Sequence, residues 1–223
     1  MQFTGQARQG YRKMFTEATI LPQHLVAAAQ IAKDIVANRP RYFRIQEKIG
    51  VPWWWIGCIH SLESGLDFNT HLHNGDPLKA RTIHVPAGRP IAGVPPFTWE
   101  ESAIDALCLK GLHELSDWSL PRALYEAERY NGWGYVGRGV NSPYLWSFSS
   151  KQQPGKYVAD HVWDANAWSQ QCGAVAIIKA LIQLGELRMS EDNIIDRIVE
   201  IAPTVATAVG GPIGGAIVDT VAH

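Results

Sequence analysis

The chain lacks a charge imbalance: 20 Lys and Arg stand against 21 Asp and Glu, a formal net charge of -1. Without a long-range positive field, sequence-independent binding to nucleic acid is excluded as an expectation. Cysteine is scarce too. Cys58, Cys108 and Cys172 are odd in number, far apart and each set in an apolar helical pattern, which reads as buried thiols made in a reducing compartment and not as a disulfide framework. The opening MQFTGQARQGYRKMF has no apolar core of the secretory kind, so export by the general route is not expected. No internal repeat of structural-unit length is present, and no HExxH helix, paired cysteine cluster or nucleophile elbow, which counts against the common zinc and serine hydrolase designs. Charged residues are only 18% against 46% hydrophobic, and that balance excludes a mostly disordered chain.

What is present suits one compact domain with an appendage, since 223 residues are enough for a sizeable core. The expected division is a domain over 1–200 and an apolar tail over 201–223, whose segment IAPTVATAVGGPIGGAIV carries no charge. Its prolines and glycines disfavour a simple spanning helix, leaving weak membrane-surface contact through 201–218, a flexible tail or a packed helix as the readings.

Apolar spacing predicts helices over 21–38 and 165–187, a short helix over 41–49 closed by Gly50, and another over 121–129. Thr98-Trp99-Glu100-Glu101 is a capping box opening a helix that runs to about 115. The segment VPWWWIGCIHSLES, 51–64, is apolar almost all round between Pro52 and Gly65, so it is expected to be a buried central helix. From 66 to 89 the pattern changes to alternation broken by Asn74-Gly75-Asp76-Pro77, which reads as a β-hairpin tongue with arms at Thr70, Leu72 and Thr82, Ile83, Val85. The fold class expected is therefore mainly α, a helical body around one buried helix with a small β-hairpin.

On the central helix, Ile56, Ile59, His60 and Glu63 share a face by spacings of three and four. A carboxyl on an apolar stripe is the kind of group whose pKa burial raises, as a general acid requires. Nine tryptophans, several beside Gly, Asn or Tyr, are also suited to stacking on sugars, although core packing explains aromatic residues as well. Tyr130, Asn131, Trp133, Tyr135, Tyr144 and Trp146 fall in a glycine- and aromatic-rich loop system, 130–153, without sustained period.

Glu63-Ser64-Gly65-Leu66-Asp67-Phe68 resembles the glutamate-serine motif that ends the catalytic helix in goose-type lysozymes and lytic transglycosylases. Glu128-Arg129-Tyr130-Asn131-Gly132 resembles the alanine-tyrosine-asparagine-glycine motif lining their sugar site. The two occur in the right order over roughly 51–146. The transglycosylase glycine-leucine-methionine-glutamine segment is missing, its place taken by His71 to Leu78. The resemblance implies a lysozyme-like peptidoglycan glycosidase, monomeric and cofactor-free. Glu63 would be the general acid and Asp76, 13 residues on, the base or water-positioning residue, with Thr82 as a further water holder. His60, His73, Tyr130, Asn131, Trp133 and Tyr144 would be substrate-binding. It further implies a phage lytic or wall-remodelling protein that reaches the wall by another exit. A carboxyl separation of about 6.5 to 9.5 Å would give inversion and a closer pair retention.

Four alternatives stand beside it, one of them a non-catalytic wall-binding protein, in which Glu63→Gln would leave every function intact. Chitin or chitosan is the nearest rival substrate. His71, His73 and His84 with Asp76 could hold zinc in a peptidoglycan hydrolase, although no metal is the expectation adopted. A serine triad of Ser61 or Ser64 with His60 is weaker.

Overall fold

The computed structural model describes residues 1–159, 162–191 and 193–196. The tail, 201–223, and the expected division at 200 lie outside the described residues. The fold is mainly α with two small antiparallel hairpins.

Helix α1, Gly5–Glu17, starts on Thr4, whose side chain accepts from the Ala7 amide, one of the otherwise unpaired donors of a first turn. Sequence reading missed it because its apolar residues, Tyr11, Met14 and Phe15, form a narrow stripe in a polar segment with two glycines. A single 3-10 turn, Pro22–His24, then leads into α2, Leu25–Ala37, which buries Ala28, Ala32 and Ile35. Helix α3, Arg39–Ile49, begins before Pro40 and is not interrupted by it, because proline in a first turn removes no intrahelical bond. Gly50 closes α3 at φ 74.

Helix α4, Trp53–Ser64, is the buried centre: every residue from Trp53 to Leu62 is buried. It packs against α3, α2 and the later α8. The approach to α2 is close because Gly57 has no side chain; a Cβ there would sit 2.5 Å from Ile35 Cγ2. Trp55 Nε1 donates to the Ala123 carbonyl at 2.9 Å, which ties α4 to α6 and satisfies a buried donor.

The 66–89 segment is not a β-tongue. Thr70 and Pro77 make one isolated bridge, and the rest is turns. The reason is chemical: the Asp76 carboxylate accepts from the Ile83 and His84 amides at 2.7 and 3.0 Å, donors that a return strand would have given to its partner. Pro77, Pro86 and Pro90 have no N–H to offer.

Helix α5, Trp99–Leu109, opens on the expected capping box, with Thr98 Oγ1 accepting from the Glu101 amide and Glu101 Oε2 accepting from the Thr98 amide. It ends earlier than expected, at a Lys110-Gly111 turn followed by the 3-10 turn Leu112–Glu114. Helix α6, Leu120–Asn131, packs on α1, and the single-turn α7, Pro143–Trp146, packs on α6. Strands β1, Lys156–Ala159, and β2, Val162–Asp164, form the first hairpin.

Helix α8 is Ala174–Gln183, shorter than the apolar run over 165–187 implies. Gly173 precedes it as the N-cap residue, at a place where an added Cβ would meet the backbone of Leu145 and Ser147. Strands β3, Leu187–Ser190, and β4, Asn193–Asp196, form the second hairpin. Trp53, Trp55, Trp99 and Trp146 are among the largest fully buried or nearly buried side chains, so much of the tryptophan content is core. No helix among the described residues is long and apolar enough to cross a membrane.

Candidate active site

Glu63 lies in the last turn of α4, half-buried, where Gly65 at φ 59 stops the helix. The Gln171 side-chain amide donates to the Leu62 carbonyl at 2.5 Å, covering one of the carbonyls this helix end exposes. The Tyr144 hydroxyl of α7 donates to Glu63 Oε1 at 2.7 Å. Burial pushes the Glu63 carboxyl above its ordinary range, against the Tyr144 hydrogen bond and the Lys110 ammonium, which both pull it down. The negative end of the α4 dipole acts in the same direction as burial.

Glu63 opens into a cleft of about 500 Å³. His73, Val85 and Pro86 come from the 66–98 segment, Ala106 and Leu109 from α5, Lys110 from the turn after it, and Tyr130 and Asn131 from the end of α6. Of the expected residues the fold therefore brings together Glu63, His73, Tyr130, Asn131 and, through its hydroxyl, Tyr144. Tyr130 is nearly buried, and its hydroxyl donates to the Leu72 carbonyl at 3.3 Å. Asn131 is exposed at the rim, with both its donors and acceptor suited to an acetamido group. Lys110, which sequence reading missed, holds its Nζ 4.9 Å from the Tyr130 ring and 3.5 Å from the Tyr130 carbonyl. The expected helix ran on to about 115, so Lys110 read as one more residue on a helix surface and nothing in the pattern marked it.

Other expected residues lie elsewhere. Asp76 does not line the cleft. Its Oδ2 accepts from the Ile83 and His84 amides and from Asn74 Nδ2, and its Oδ1 pairs with His84 Nδ1 at 2.5 Å. The His84 backbone and side-chain hydrogen bonds hold its carboxyl well below the usual carboxylate range. A carboxylate so engaged is a poor base; it organises the loop that carries Val85 and Pro86. Asp76→Asn is accordingly expected to speed hydrogen exchange at the Ile83 and His84 amides. Because the folded-state pKa is depressed, the stabilisation stands above the usual carboxylate range and is lost as pH falls below it. Unchanged exchange would remove the organising role.

Thr82 is not a water holder: its hydroxyl donates to the Pro86 carbonyl at 2.5 Å and accepts from the Arg89 amide at 2.9 Å. His60 is core. It is fully buried against Phe68 and Trp99, bonded to Tyr42 and to the Asp67 carbonyl, and burial lowers its pKa to about 4. Both its ring nitrogens are taken up, by Tyr42 and the Asp67 carbonyl, and Ser64 Oγ donates to the His60 carbonyl at 3.4 Å, so among the described residues no serine completes the expected triad. Trp133 packs on Tyr125, Tyr135 joins Tyr157 and Trp163 at the first hairpin, and Trp146 is buried.

The histidines are engaged with protein groups. His71 contacts Ser102 Oγ and the Ala80 carbonyl, each at 2.8 Å, and His73 Nε2 meets Asp105 at 2.8 Å, where Arg89 also binds through two nitrogens. His84 is on Asp76. Among the described residues no group of three or more His, Cys, Asp or Glu is arranged to hold a metal ion. The His73-Asp105-Arg89 bracket, invisible in sequence because its members are 16 and more residues apart, fastens the 66–89 segment to α5 and so fixes one wall of the cleft.

No family model, curated protein or solved structure matches this chain.

Proposed function

We propose that the chain cleaves β-1,4 bonds between aminosugars of peptidoglycan, with Glu63 as the general acid. The observation that carries the reading is a carboxyl at the end of a buried helix, its pKa pushed up by burial, open to a cleft with aromatic, amide and ammonium groups. Glu63 gives its proton to the leaving glycosidic oxygen as the C1–O bond breaks, and positive charge develops on the sugar ring. Among the described residues Glu63 is the only carboxylate lining the cleft. In the second step the Glu63 carboxylate therefore takes a proton either from water, completing hydrolysis, or from a hydroxyl of the same sugar, closing an anhydro ring. Asn131 holds an acetamido group and Tyr130 offers its exposed edge to a sugar face. Lys110 tempers the rise in the Glu63 pKa.

The test is mass spectrometry of soluble products from purified peptidoglycan with wild type, Glu63→Gln and Asp76→Asn. Reducing or anhydro sugar ends that vanish with Glu63→Gln support the reading and separate the two second steps. Peptide fragments, or undiminished cleavage by Glu63→Gln, would overturn it.

Tyr144→Phe supplies a finer check. Removing the hydroxyl takes away a hydrogen bond that favours the ionised carboxyl, so the Glu63 pKa rises further. Activity needs the protonated acid and falls as pH rises through that pKa. The alkaline limb of kcat/KM against pH should thus move to higher pH in the variant; a limb that stays or moves down would contradict the assignment.

A further inference from the structure

A second cavity, of about 330 Å³, lies between α1, α6 and the 136–141 turn, within the range of about 300–1,000 Å³ of small-molecule sites. Its walls include Met14, Val140 and Trp146, and into them are set Tyr11 and the carboxyl of Glu128. Glu128 and Tyr130 are two positions apart, roughly 200° around α6, so Glu128 faces away from the cleft that Tyr130 lines. Glu128 is 5% exposed. The Tyr11 hydroxyl donates to its Oε2. Among the described residues no side chain or amide bonds its Oε1, and no Lys, Arg or His pairs with it.

A buried carboxyl without a cation destabilises a fold. Glutamine would accept the same hydrogen bond from Tyr11 at the same size and without that cost. What distinguishes the carboxyl from the amide is its capacity to bear charge. We propose that this cavity binds a small organic cation, a primary ammonium on a short apolar chain, which pairs with Glu128 Oε1 while its methylenes pack on Met14, Val140 and Trp146. The neighbouring chemistry agrees: aromatic faces attract cations, and methionine adapts to irregular apolar ligands. Burial raises the empty site's carboxyl above its ordinary range, with Tyr11 opposing, and a bound cation lowers it again, so binding strengthens as pH rises through that range. The site is independent of Glu63.

The experiment is isothermal titration of the full chain with n-hexylammonium and with Nα-acetyl-lysine amide, using n-hexanol as control, at mildly acid and mildly alkaline pH. Either amine should bind, more tightly at alkaline pH, and the stronger of the two tells a free amine from a peptide lysine as the source. Glu128→Gln should weaken that binding by roughly ten- to a hundredfold and raise Tm relative to wild type as pH increases. Gly10→Leu gives a second variant that does not touch the carboxyl. Gly10 lines the cavity in mid-helix, and a Cβ there meets no atom within 4 Å, so leucine should leave the chain folded and occlude the ligand. Hexanol binding as well as hexylammonium, no amine binding at all, or full affinity in either variant would overturn the proposal.

Discussion

Glu63→Gln is expected to lower the proposed glycan cleavage by roughly 10²–10⁴-fold, the contribution of one positioned general acid, while leaving the protein folded. Glutamine has the same shape and can still accept from the Tyr144 hydroxyl, but it has no proton to give the leaving oxygen. The stability effect has a definite sign. The Glu63 pKa is raised by burial, so its influence favours the fold at low pH and is lost as pH rises through the folded-state pKa. Glutamine never ionises and escapes that loss. Thermal melts across pH should therefore show the variant gaining on wild type as pH increases, while the initial rate of peptidoglycan solubilisation collapses. Loss of activity together with a lower Tm at all pH values would mean that the substitution damages the fold, and the role of general acid would lose its support.

Gly173→Ala is expected to destabilise the protein by about 3 kcal/mol or more, beyond the ordinary range for overpacking. A Cβ at this position would lie 2.6 Å from the Leu145 carbonyl oxygen and 2.8 Å from both the Leu145 carbonyl carbon and the Ser147 nitrogen. All three are backbone atoms and cannot swing aside as a flexible side chain would. The Gly173 amide also donates to the Ser147 carbonyl at 3.2 Å. Relief requires α7 to separate from the start of α8, and α7 carries the Tyr144 hydroxyl bonded to Glu63. The variant should thus lower the urea midpoint and, in whatever fraction remains folded, move the alkaline limb of the pH profile upward as Tyr144→Phe does. Wild-type stability in Gly173→Ala would show that the junction yields more easily than its backbone contacts imply.

The two glycines 57 and 173 show why part of the packing was not legible. In sequence each is one small residue within an apolar run. Its meaning depends on another segment, Ile35 for the first and Leu145 to Ser147 for the second. The same applies to the polar residues. The resemblance implied Asp76 as a base or water-positioning residue, yet the amides of Ile83 and His84 converge on it and take up its oxygens. His60 shares the Glu63 face by helical geometry but sits deep enough to be enclosed by Tyr42, Phe68 and Trp99. Lys110 reaches the cleft only because α5 ends beside Tyr130.

By itself the sequence determined the local elements whose causes are local: the buried helix between Pro52 and Gly65, the capping box at Thr98, the left-handed stop at Gly50, and a carboxyl at the end of that buried helix. Each follows from a few consecutive residues and their backbone preferences. The tertiary structure alone decided which polar groups meet Glu63, turned the expected β-tongue into a carboxylate-centred loop, and paired 156–159 with 162–164 and 187–190 with 193–196. Those outcomes depend on which hydrogen-bond partners meet, some across tens of residues, as Tyr144 and Glu63, and some across seven or eight, as Asp76 with Ile83 and His84, and such pairings leave no periodic signature in a single chain.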